Sequence, residues 1–402
     1  MNGPPRLGHR FTAAEVAALR SAPGRDALAA AGELVLDDRS LLGDLARLRR
    51  SCGDLAAAAA ETVRLRRRAT AKFGPEAAGW LLTEAALQQG TPAAVARHRA
   101  GRFAAAGTAV HDLTCSIGAD LAALSGAVPV AVGSDLDPVR VAMAAHNLGD
   151  AARSARVFVA DALTRTSRGL LGYADPARRD QGGRRVGPAD LQPSPHELDR
   201  VHAHRPPVLR MPPGVDHVAL ARPGEAELVS LDGDVREAVL WPPELAGPSR
   251  RATVLRTGAP GWEISSDDPE DRGTGPVGRW IVDPDGAVVR AGLVTHYAAR
   301  HGLHLLDPHL AYLTGDRPPP GVRAFRVLDH APLRPAVVAG WIRRDGAGTL
   351  EILQRGTSVV PDELRRRLRP ALRPHDTAVA ATLVVARVGD RPQAFWCRAE
   401  RS

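Results

Sequence analysis

Lysine is almost absent from this chain of 402 residues: Lys72 is the only lysine, and all the other basic residues among a total of 53 are arginines. The formal net charge of +8 favours a polyanionic partner such as nucleic acid. However, a chain that relies on arginine and is rich in Ala, Gly and Pro also arises when a genome drifts toward GC-rich codons. The excess of positive charge is therefore only weak support for a nucleic-acid partner.

Cysteines and long apolar runs are also scarce. Cys52, Cys115 and Cys397 lie far apart and form neither a disulfide framework nor a Cys-x-x-Cys metal clip. No run of about 18 apolar residues argues for a membrane span, and the amino-terminal segment lacks the apolar core of a secretory signal. The histidines, including His202 and His204, follow no recognised ligand spacing. We therefore expect a reduced, cytoplasmic protein that neither enters a membrane nor binds a metal.

The pattern of apolar residues divides the chain into three predicted domains. Residues 1–100 show helical spacing, and Thr12 with Glu15 forms a capping-box pattern. Residues 101–265 alternate short apolar runs with helical segments, which is typical of an α/β fold built on a parallel sheet. A polar, turn-rich stretch at 257–278 predicts a linker, and residues 270–402 have the mixed pattern of a small α+β domain.

Individual elements are also predicted within the second and third domains. The predicted strands are 109–113, 128–133, 156–160, 170–174, 208–211, 227–231, 253–256, 280–282, 349–354 and 378–387. The predicted helices are 118–124, 138–148, 292–301 and 361–368. The segment 182–207, rich in Gly, Pro and Arg, predicts an active-site loop or an insertion.

A cluster of cations ends the third helical segment of the first domain, at residues 64–68 and Lys72. Cations in the last turn of a helix complement its dipole, which is the structural interpretation. The functional interpretation is a face that contacts phosphates. The sequence leaves both open.

The segment 110–120 is the one that most clearly indicates chemistry. A strand leads into an acidic residue, then small residues at alternate positions, then a helix start; these positions are Asp112, Thr114, Ser116 and Gly118. Such a turn lets a ligand approach the backbone closely. The segment resembles the [D/E]-x-G-x-G-x-G loop of class I S-adenosylmethionine (SAM) methyltransferases, with Thr and Ser in place of two glycines.

Three further acidic residues follow at the ends of the next strands. Asp135 lies about 20 residues after the loop, where a carboxylate can accept hydrogen bonds from both ribose hydroxyls of a cofactor. Asp161 resembles the acidic residue that contacts adenine in class I SAM methyltransferases. Residues 175–179 look like the D/N-P-P-[Y/F/R] motif at the mouth of their sites. Taken singly, each could be an ordinary cap or turn residue. Their order and spacing favour a SAM site.

The resemblance extends over almost the whole chain, to a bacterial family of class I SAM-dependent methyltransferases with a C-terminal THUMP-like domain. It rests on residues 36–40, 84–92, 95–99, 110–120, 175–179, 230–233, 280–286, 312–316 and 350–356. It implies a Rossmann-like methyltransferase domain, preceded by a helical domain and followed by a small α+β THUMP-like domain, with SAM as cofactor. THUMP domains hold RNA in tRNA-modifying enzymes, so the resemblance implies tRNA or rRNA as partner.

Arginine-rich segments at 64–68, 178–185 and 365–370 could line a phosphate track. Aromatic residues make up only 4% of the chain, so stacking of bases would fall on a few side chains. The candidates are Phe103, Tyr173, Trp280 and Tyr297.

At the transfer point we expect Asp175, Pro176 and Arg178. The Asp175 carboxylate and the following backbone carbonyls could accept hydrogen bonds from an amine or ring N–H, while Arg178 or Arg179 could hold a neighbouring phosphate. Methylation at C5 of uracil requires a cysteine nucleophile, and no cysteine follows this motif in the catalytic domain. A nitrogen or a ribose oxygen is therefore the expected acceptor.

Two alternatives to an RNA methyltransferase remain open. One is a methyltransferase for a small molecule or a protein, which predicts methyl transfer without RNA. The other is a non-catalytic RNA-binding protein with a decayed SAM fold, suggested by the missing glycines of the loop. The oligomeric state is not predicted.

Overall fold

The computed structural model describes residues 8–149, 155–178, 187–216, 218–271, 273–373 and 379–401. They form two compact units. The first contains residues through Gly247 together with Leu255–Pro260, and the second contains Pro248–Val254 together with the residues from Gly261 onward. Within the described residues, no helix combines the length and the apolar character that crossing a membrane requires.

Helices form the first part of the first unit. They are α1 (Ala13–Arg20), α2 (Ala22–Gly32), α3 (Leu41–Cys52), α4 (Ala56–Phe73), α5 (Glu84–Gln89) and α6 (Ala93–Ala105). The predicted capping box opens α1, since the Glu15 N–H donates to the Thr12 hydroxyl at 3.2 Å and the Thr12 N–H donates to the Glu15 carboxylate at 2.8 Å. The apolar faces of α1 to α5 share one core, which extends to Ile117 and Met143 of the α/β part, whereas Ala100 and Phe103 of α6 pack in the core of the sheet. The helical region and the sheet therefore belong to one compact unit.

A sheet with parallel central strands forms the rest of the first unit. Its elements are β1 (Val110–Asp112), α7 (Ala119–Ser125), β2 (Ala131–Asp135), α8 (Pro138–Leu148), β3 (Ala155–Val159), β4 (Leu171–Ala174), β5 (Ala177–Arg178), β6 (Leu191–Gln192), α9 (Pro195–Val201), β7 (Val208–Met211), β8 (Glu225–Leu231) and β9 (Asp234–Trp241). The order is β8-β9-β7-β4-β1-β2-β3, with β5 and β6 paired separately. Strands β3, β2, β1, β4 and β7 are parallel, and β9 and β8 are antiparallel additions. The prediction of an α/β fold with a parallel sheet is confirmed.

The register places the carboxyl ends of the central strands side by side. Asp112 of β1 is opposite Gly133 of β2 and Tyr173 of β4. Gly133 is required here because a Cβ would lie 2.4 Å from Leu121 Cδ2 and 3.0 Å from Cys115 Cβ. The missing side chain lets α7 and the loop after β1 pack directly on β2.

Strands β10 (Arg250–Arg256) and β11 (Ala259–Ser265) form a hairpin whose tip belongs to the first unit and whose base belongs to the second. The predicted linker at 257–278 is wrong in its first half, because residues 259–265 form β11. Their Gly, Pro and Ser content suggested a turn, but pairing with β10 satisfies the backbone.

A second sheet forms the second unit. The elements are β12 (Trp280–Val282), α10 (Gly286–Arg290), α11 (Val294–His301), β13 (His304–Leu305), β14 (Leu313–Gly315), β15 (Arg323–Pro332), α12 (Pro335–Asp345), β16 (Ala347–Arg355), α13 (Pro361–Leu368), β17 (Val379–Val388) and β18 (Arg391–Arg401). The order is β13-β14-β12-β15-β18-β17-β16, with β16 and β17 parallel and the other pairs antiparallel. Helices α12 and α13 pack on one face around Trp341 and Trp396. The unit is the mixed α+β structure expected from the sequence.

Candidate active site

A cleft of about 660 Å³ opens in the first unit at the carboxyl ends of the parallel strands. Strand β1 lies between β2 and β4. The chain adds β2 and β3 on one side of β1, and then β4 and β7 on the other side. Ligands of open α/β sheets bind at such a switch point, because the loops on its two sides run apart. The loop after β1, the ends of β2 and β4, and the region after α5 all line this cleft.

The loop after β1 has the backbone of a close-approach turn. The Thr114 N–H donates to Asp112 Oδ1 at 3.2 Å, and φ is +50° at Ser116 and +81° at Gly118. A Cβ at Gly118 would lie 3.2 Å from the Cβ of Ala144 on α8, in addition to the strain of its left-handed conformation. Gly118 is therefore required, whereas Ser116 adopts a conformation that its side chain disfavours.

The residues that replace two loop glycines tie the loop to neighbouring strands. The Thr114 hydroxyl accepts a hydrogen bond of 2.7 Å from the N–H of Asp175, at the end of β4. The Ser116 N–H donates to Asp135 Oδ2 at 2.9 Å, at the end of β2. The loop is thus fixed on both sides without the missing glycines.

Asp135 and Asp161 line the side of the cleft near β2 and β3. The other oxygen of Asp135, Oδ1, accepts the Asp137 N–H at 2.9 Å, so two backbone donors hold this carboxylate in one orientation. Each oxygen keeps a lone pair that can accept a ligand hydroxyl. Asp161 is exposed on the cleft, and its Oδ1 accepts the Leu163 N–H at 2.9 Å.

Asp112 is only 1% exposed although it lines the cleft. Burial, together with the neighbouring charge of Asp120, raises the pKa of Asp112 well above its ordinary value. A cation placed in the cleft beside this carboxyl would favour its ionised form. The loop therefore offers a site for a positively charged group.

Asp175 belongs to a buried network of charges that sequence reasoning did not find. Arg210 on β7 pairs with Asp175 Oδ2, and its Nε donates to Glu237 of β9 at 3.1 Å. Arg99 of α6 binds both oxygens of Glu237, at 2.6 and 2.8 Å, and lies 2.7 Å from Asp120 Oδ1. Burial raises the pKa of Asp175, and Arg210 opposes the rise. The network links two helices, α6 and α7, and two strands, β7 and β9, to the end of β4.

The sequence signal for this network was weak. Arg210 interrupts an otherwise apolar strand, and Arg99 stands among the buried residues of an amphipathic helix. An arginine inside an apolar pattern indicates a buried ion pair, but the sequence does not name its partner.

Pro176 is buried and lines the cleft beside Asp175. The backbone of Arg178 belongs to β5, opposite Leu191 of β6; its side chain and residues 179–186 lie outside the described part of the chain. The segment 182–207 was predicted as a loop or insertion. Its described part, from residue 187 onward, contains β6 and α9. From this segment Gln192, Pro193 and Glu197 line the cleft.

Three of the four aromatic residues suggested for base stacking are unsuitable. Phe103, Tyr173 and Tyr297 are at most 1% exposed and pack in the cores of their units. None of the described residues that line the cleft is aromatic. Apolar packing accounts for these side chains, because the few large residues of the chain are needed to fill its cores.

The arginines at the end of α4 stabilise the helical region instead of forming a phosphate-contacting face. Arg67 donates to the carbonyls of residues 32, 34 and 35, and Arg66 donates to those of residues 79 and 80. Arg68 forms a bidentate pair with Glu84 at 2.7 and 2.9 Å. The dipole interpretation is not supported for these arginines either: Lys72 is the basic residue in the last turn of α4, and the arginines bind neighbouring segments.

The chemistry of the cleft fits SAM. The cofactor carries a sulfonium and an ammonium group, a ribose and an adenine. Asp112 offers an acidic site for a cation, Asp135 offers oriented acceptors for ribose hydroxyls, and the backbone at Ser116 and Gly118 permits close approach. Among the described residues, no group of three or more His, Cys, Asp or Glu side chains could hold a metal ion.

Comparisons with known proteins agree with this chemistry. The THUMP domain-like family matches residues 322–399, and a domain family of unknown function matches residues 12–69. Uncharacterized S-adenosylmethionine-dependent methyltransferases of two Mycobacterium tuberculosis strains, CDC 1551 and H37Rv, are each 46% identical over 365 residues, which covers 88% of this chain and all of theirs. A proposed methyltransferase from Porphyromonas gingivalis W83 has a similar structure, with a TM-score of 0.70 at 20% identity, over 94% of this chain and 98% of that one.

The fold and these relatives define the class as SAM-dependent methyltransferases, enzymes whose cofactor is SAM. Within that class, the chain belongs to the family of class I enzymes that carry a C-terminal THUMP-like domain. The family resemblance drawn from the sequence is confirmed.

Proposed function

We propose that this enzyme methylates RNA, either tRNA or rRNA, at a nitrogen or a ribose oxygen. The observation that carries the proposal is a THUMP-like domain at residues 322–399 in a chain that is a SAM-dependent methyltransferase. THUMP domains hold RNA in tRNA-modifying enzymes, and a domain of this kind has an obvious use where the acceptor is one nucleotide of a large RNA. This step is an analogy between domains, and it needs a direct test.

The cofactor would lie along the loop after β1. Asp112 would face a cationic group of SAM, Thr114, Ser116 and Gly118 would let the backbone approach it, and two acids would bind the nucleoside part: Asp135 at the ribose and Asp161 near the adenine. SAM, when bound, supplies a methyl group on a sulfonium that is open to in-line attack. The protein's part is to position the acceptor and exclude water.

The acceptor would lie against Asp175 and Pro176. Asp175 Oδ2 is engaged by Arg210, which leaves Oδ1 to accept a hydrogen bond from an acceptor amine, ring N–H or hydroxyl. The Thr114 hydroxyl accepts a hydrogen bond of 2.7 Å from the Asp175 N–H, which ties the cofactor loop to the acceptor residue. Arg178 would hold a neighbouring phosphate.

Cys115 is unsuited to act as a covalent nucleophile. The thiol is only 4% exposed, and burial, with the charges of Asp112 and Asp135, raises its pKa well above the ordinary value. Among the described residues that line the cleft, Cys115 is the only cysteine. Attack on a pyrimidine ring by a thiolate is therefore disfavoured, which supports a nitrogen or oxygen acceptor.

The experiment that tests the proposal uses SAM with a radiolabelled methyl group and total RNA from cells that lack this gene. We expect label in one tRNA or rRNA band, and no label with Asp175→Ala protein or RNase-treated RNA. Label in protein or in small molecules but not in RNA would favour the alternative substrates. Absence of both label and SAM binding would indicate a decayed fold.

A further inference from the structure

Two arginines line the cleft, and one lysine lies near it, bound to the carbonyls of Leu87 and Gln88 just before the lining Gln89. Arg210 on β7 and Arg236 on β9 both line it, and both act on the charge of Lys72 near the end of α4. Lys72 contacts α5, whose last residue, Gln89, lines the cleft together with the following Gly90. This part of the cleft is distinct from the loop after β1 that would hold the cofactor.

The three cations differ in how they are neutralised. Arg210 is fully engaged by the carboxylates of Asp175 and Glu237. In the described part of the chain, Arg236 pairs with Asp234 at 3.0 Å, and the side chain of Asp234 is 75% exposed, so solvent screens the pair. The charge of Arg236 also helps to lower the pKa of Asp232. Among the described residues, the buried Nε–H of Arg236 has no hydrogen-bond acceptor. A buried donor without an acceptor is costly, so an oxygen of a bound anion placed there would be favourable.

Lys72 likewise has no carboxylate partner among the described residues. Its ammonium donates to the carbonyls of Leu87 and Gln88, at 2.7 and 2.8 Å. Burial and the charges of Arg210 and Arg236 lower the pKa of Lys72 to about 8. An anion placed between Lys72 and Arg236 would relieve this repulsion and supply acceptors for the N–H groups of both side chains.

We propose that Arg236 and Lys72 form a phosphate-binding subsite that holds a backbone phosphate of the acceptor nucleotide. The inference rests on the proposed RNA function and specifies which part of the RNA the cleft recognises. It also explains how the cleft could hold a nucleotide without stacking its base on a ring, since none of the described lining residues is aromatic. A phosphate contact in a half-buried place would supply affinity and set the distance from the backbone to the acceptor atom.

The test is equilibrium dialysis of radiolabelled inorganic phosphate against the full chain, with S-adenosylhomocysteine present to fill the cofactor site. We expect Arg236→Gln and Lys72→Gln each to weaken phosphate binding about tenfold, the loss of one charge-assisted hydrogen bond. Arg236→Lys, which keeps the charge, should lose less. Arg140→Gln is the matched control, because Arg140 also lines the cleft but lies on α8 beside Asp137. It should bind phosphate within about twofold of the parent.

Binding of S-adenosylhomocysteine, measured by calorimetry, shows whether each variant is folded. The subsite is overturned if phosphate does not bind, if Arg236→Gln binds it as well as the parent, or if acetate displaces phosphate better than a short RNA does. Label in RNA without phosphate binding would leave the proposed function standing and remove the subsite. Phosphate binding with no label in RNA would support the subsite and contradict the proposed function.

Discussion

At the scale of single residues, the acids of the cleft illustrate what a sequence can and cannot reveal. Asp112, Asp135, Asp161 and Asp175 were found because strand ends recur at regular spacing, and the register of a parallel sheet brings such ends together. Arg210 and Glu237 were missed because their pairing joins β7 to β9, and antiparallel additions to a parallel sheet leave no motif in the sequence.

Asp135→Ala should weaken SAM binding by about 10- to 100-fold, since hydrogen bonds to a charged group contribute about 1.5–3 kcal/mol. The substitution also removes the acceptor that fixes the Ser116 N–H of the loop. Calorimetric titration with SAM measures the effect. Asp137→Ala is the matched control: Asp137 caps α8 at Val139, so its loss should lower stability by about 1 kcal/mol and leave SAM affinity close to that of the parent.

Asp112 should make both stability and cofactor binding depend on pH. Its pKa is raised in the folded, ligand-free protein, so its contribution to the free energy of unfolding is present below the ordinary pKa and is lost as pH rises through the raised value. A bound cation lowers that pKa again, so SAM affinity should increase with pH over the same range. Denaturant unfolding and SAM titrations at a series of pH values measure both trends.

Asp112→Asn should remove both trends while keeping the acceptor for the Thr114 N–H. A pH dependence that is the same in the variant and the parent would contradict this assignment, and would place the titrating group elsewhere in the network.

At the scale of elements, the buried arginine of α6 connects the helical region to the sheet. Arg99 is 2% exposed, binds Glu237 of β9 and Asp120 of α7, and lies over the ring of Tyr173, with 4.8 Å from its guanidinium carbon to the ring centroid. Removing one partner of a buried ion pair leaves the other charges without compensation.

Arg99→Met should lower the free energy of unfolding by about 3–5 kcal/mol, because Glu237 and Asp120 stay buried. The control is Arg97→Met on the same helix, where the side chain is exposed and the change should be within about 0.5 kcal/mol. Denaturant titration compares the two. Equal losses in both variants would contradict the role given to the network.

The elements that the sequence predicted well are those with strong local signals. Helix α8 begins at Pro138 after the capping Asp137 and ends at Leu148 before Gly149, as predicted. The longer strands β9, β11, β15 and β18 were missed, as were the short strands β5, β6, β13 and β14. Much of β15 is exposed or half-buried, and its apolar residues do not alternate regularly; it is held by antiparallel pairing with β12 and β18. That pairing depends on distant segments, which single-sequence patterns do not report.

At the scale of the whole molecule, the arginines of α4 and α6 in the first unit are mostly structural. Most of those on α4 and α6 are engaged by carbonyls and carboxylates. In the second unit, Arg366, Arg367 and Arg369 at the end of α13 are exposed. Together with the segment 178–185, most of which lies outside the described residues, they are the candidates from the arginine-rich segments for a surface that binds RNA phosphates.

Replacing Arg366, Arg367 and Arg369 together with Gln should weaken RNA binding and reduce the slope of log K against log salt by about 0.7–0.9 for each phosphate that these side chains neutralise. The matched control replaces Arg47, Arg49 and Arg50, which are exposed on α3 of the first unit. Filter binding at several salt concentrations measures both. A slope that falls equally in the control would indicate a general effect of charge and not a specific surface.

The central claim is that this enzyme methylates RNA at a nitrogen or a ribose oxygen. The most direct test is to digest tRNA and rRNA from cells with and without the gene and to compare their nucleosides by mass spectrometry. We predict that one N-methylated or ribose-methylated nucleoside is lost without the gene and returns with the parent chain but not with Asp175→Ala. Unchanged nucleosides, or loss of a C5-methylated pyrimidine, would contradict the account.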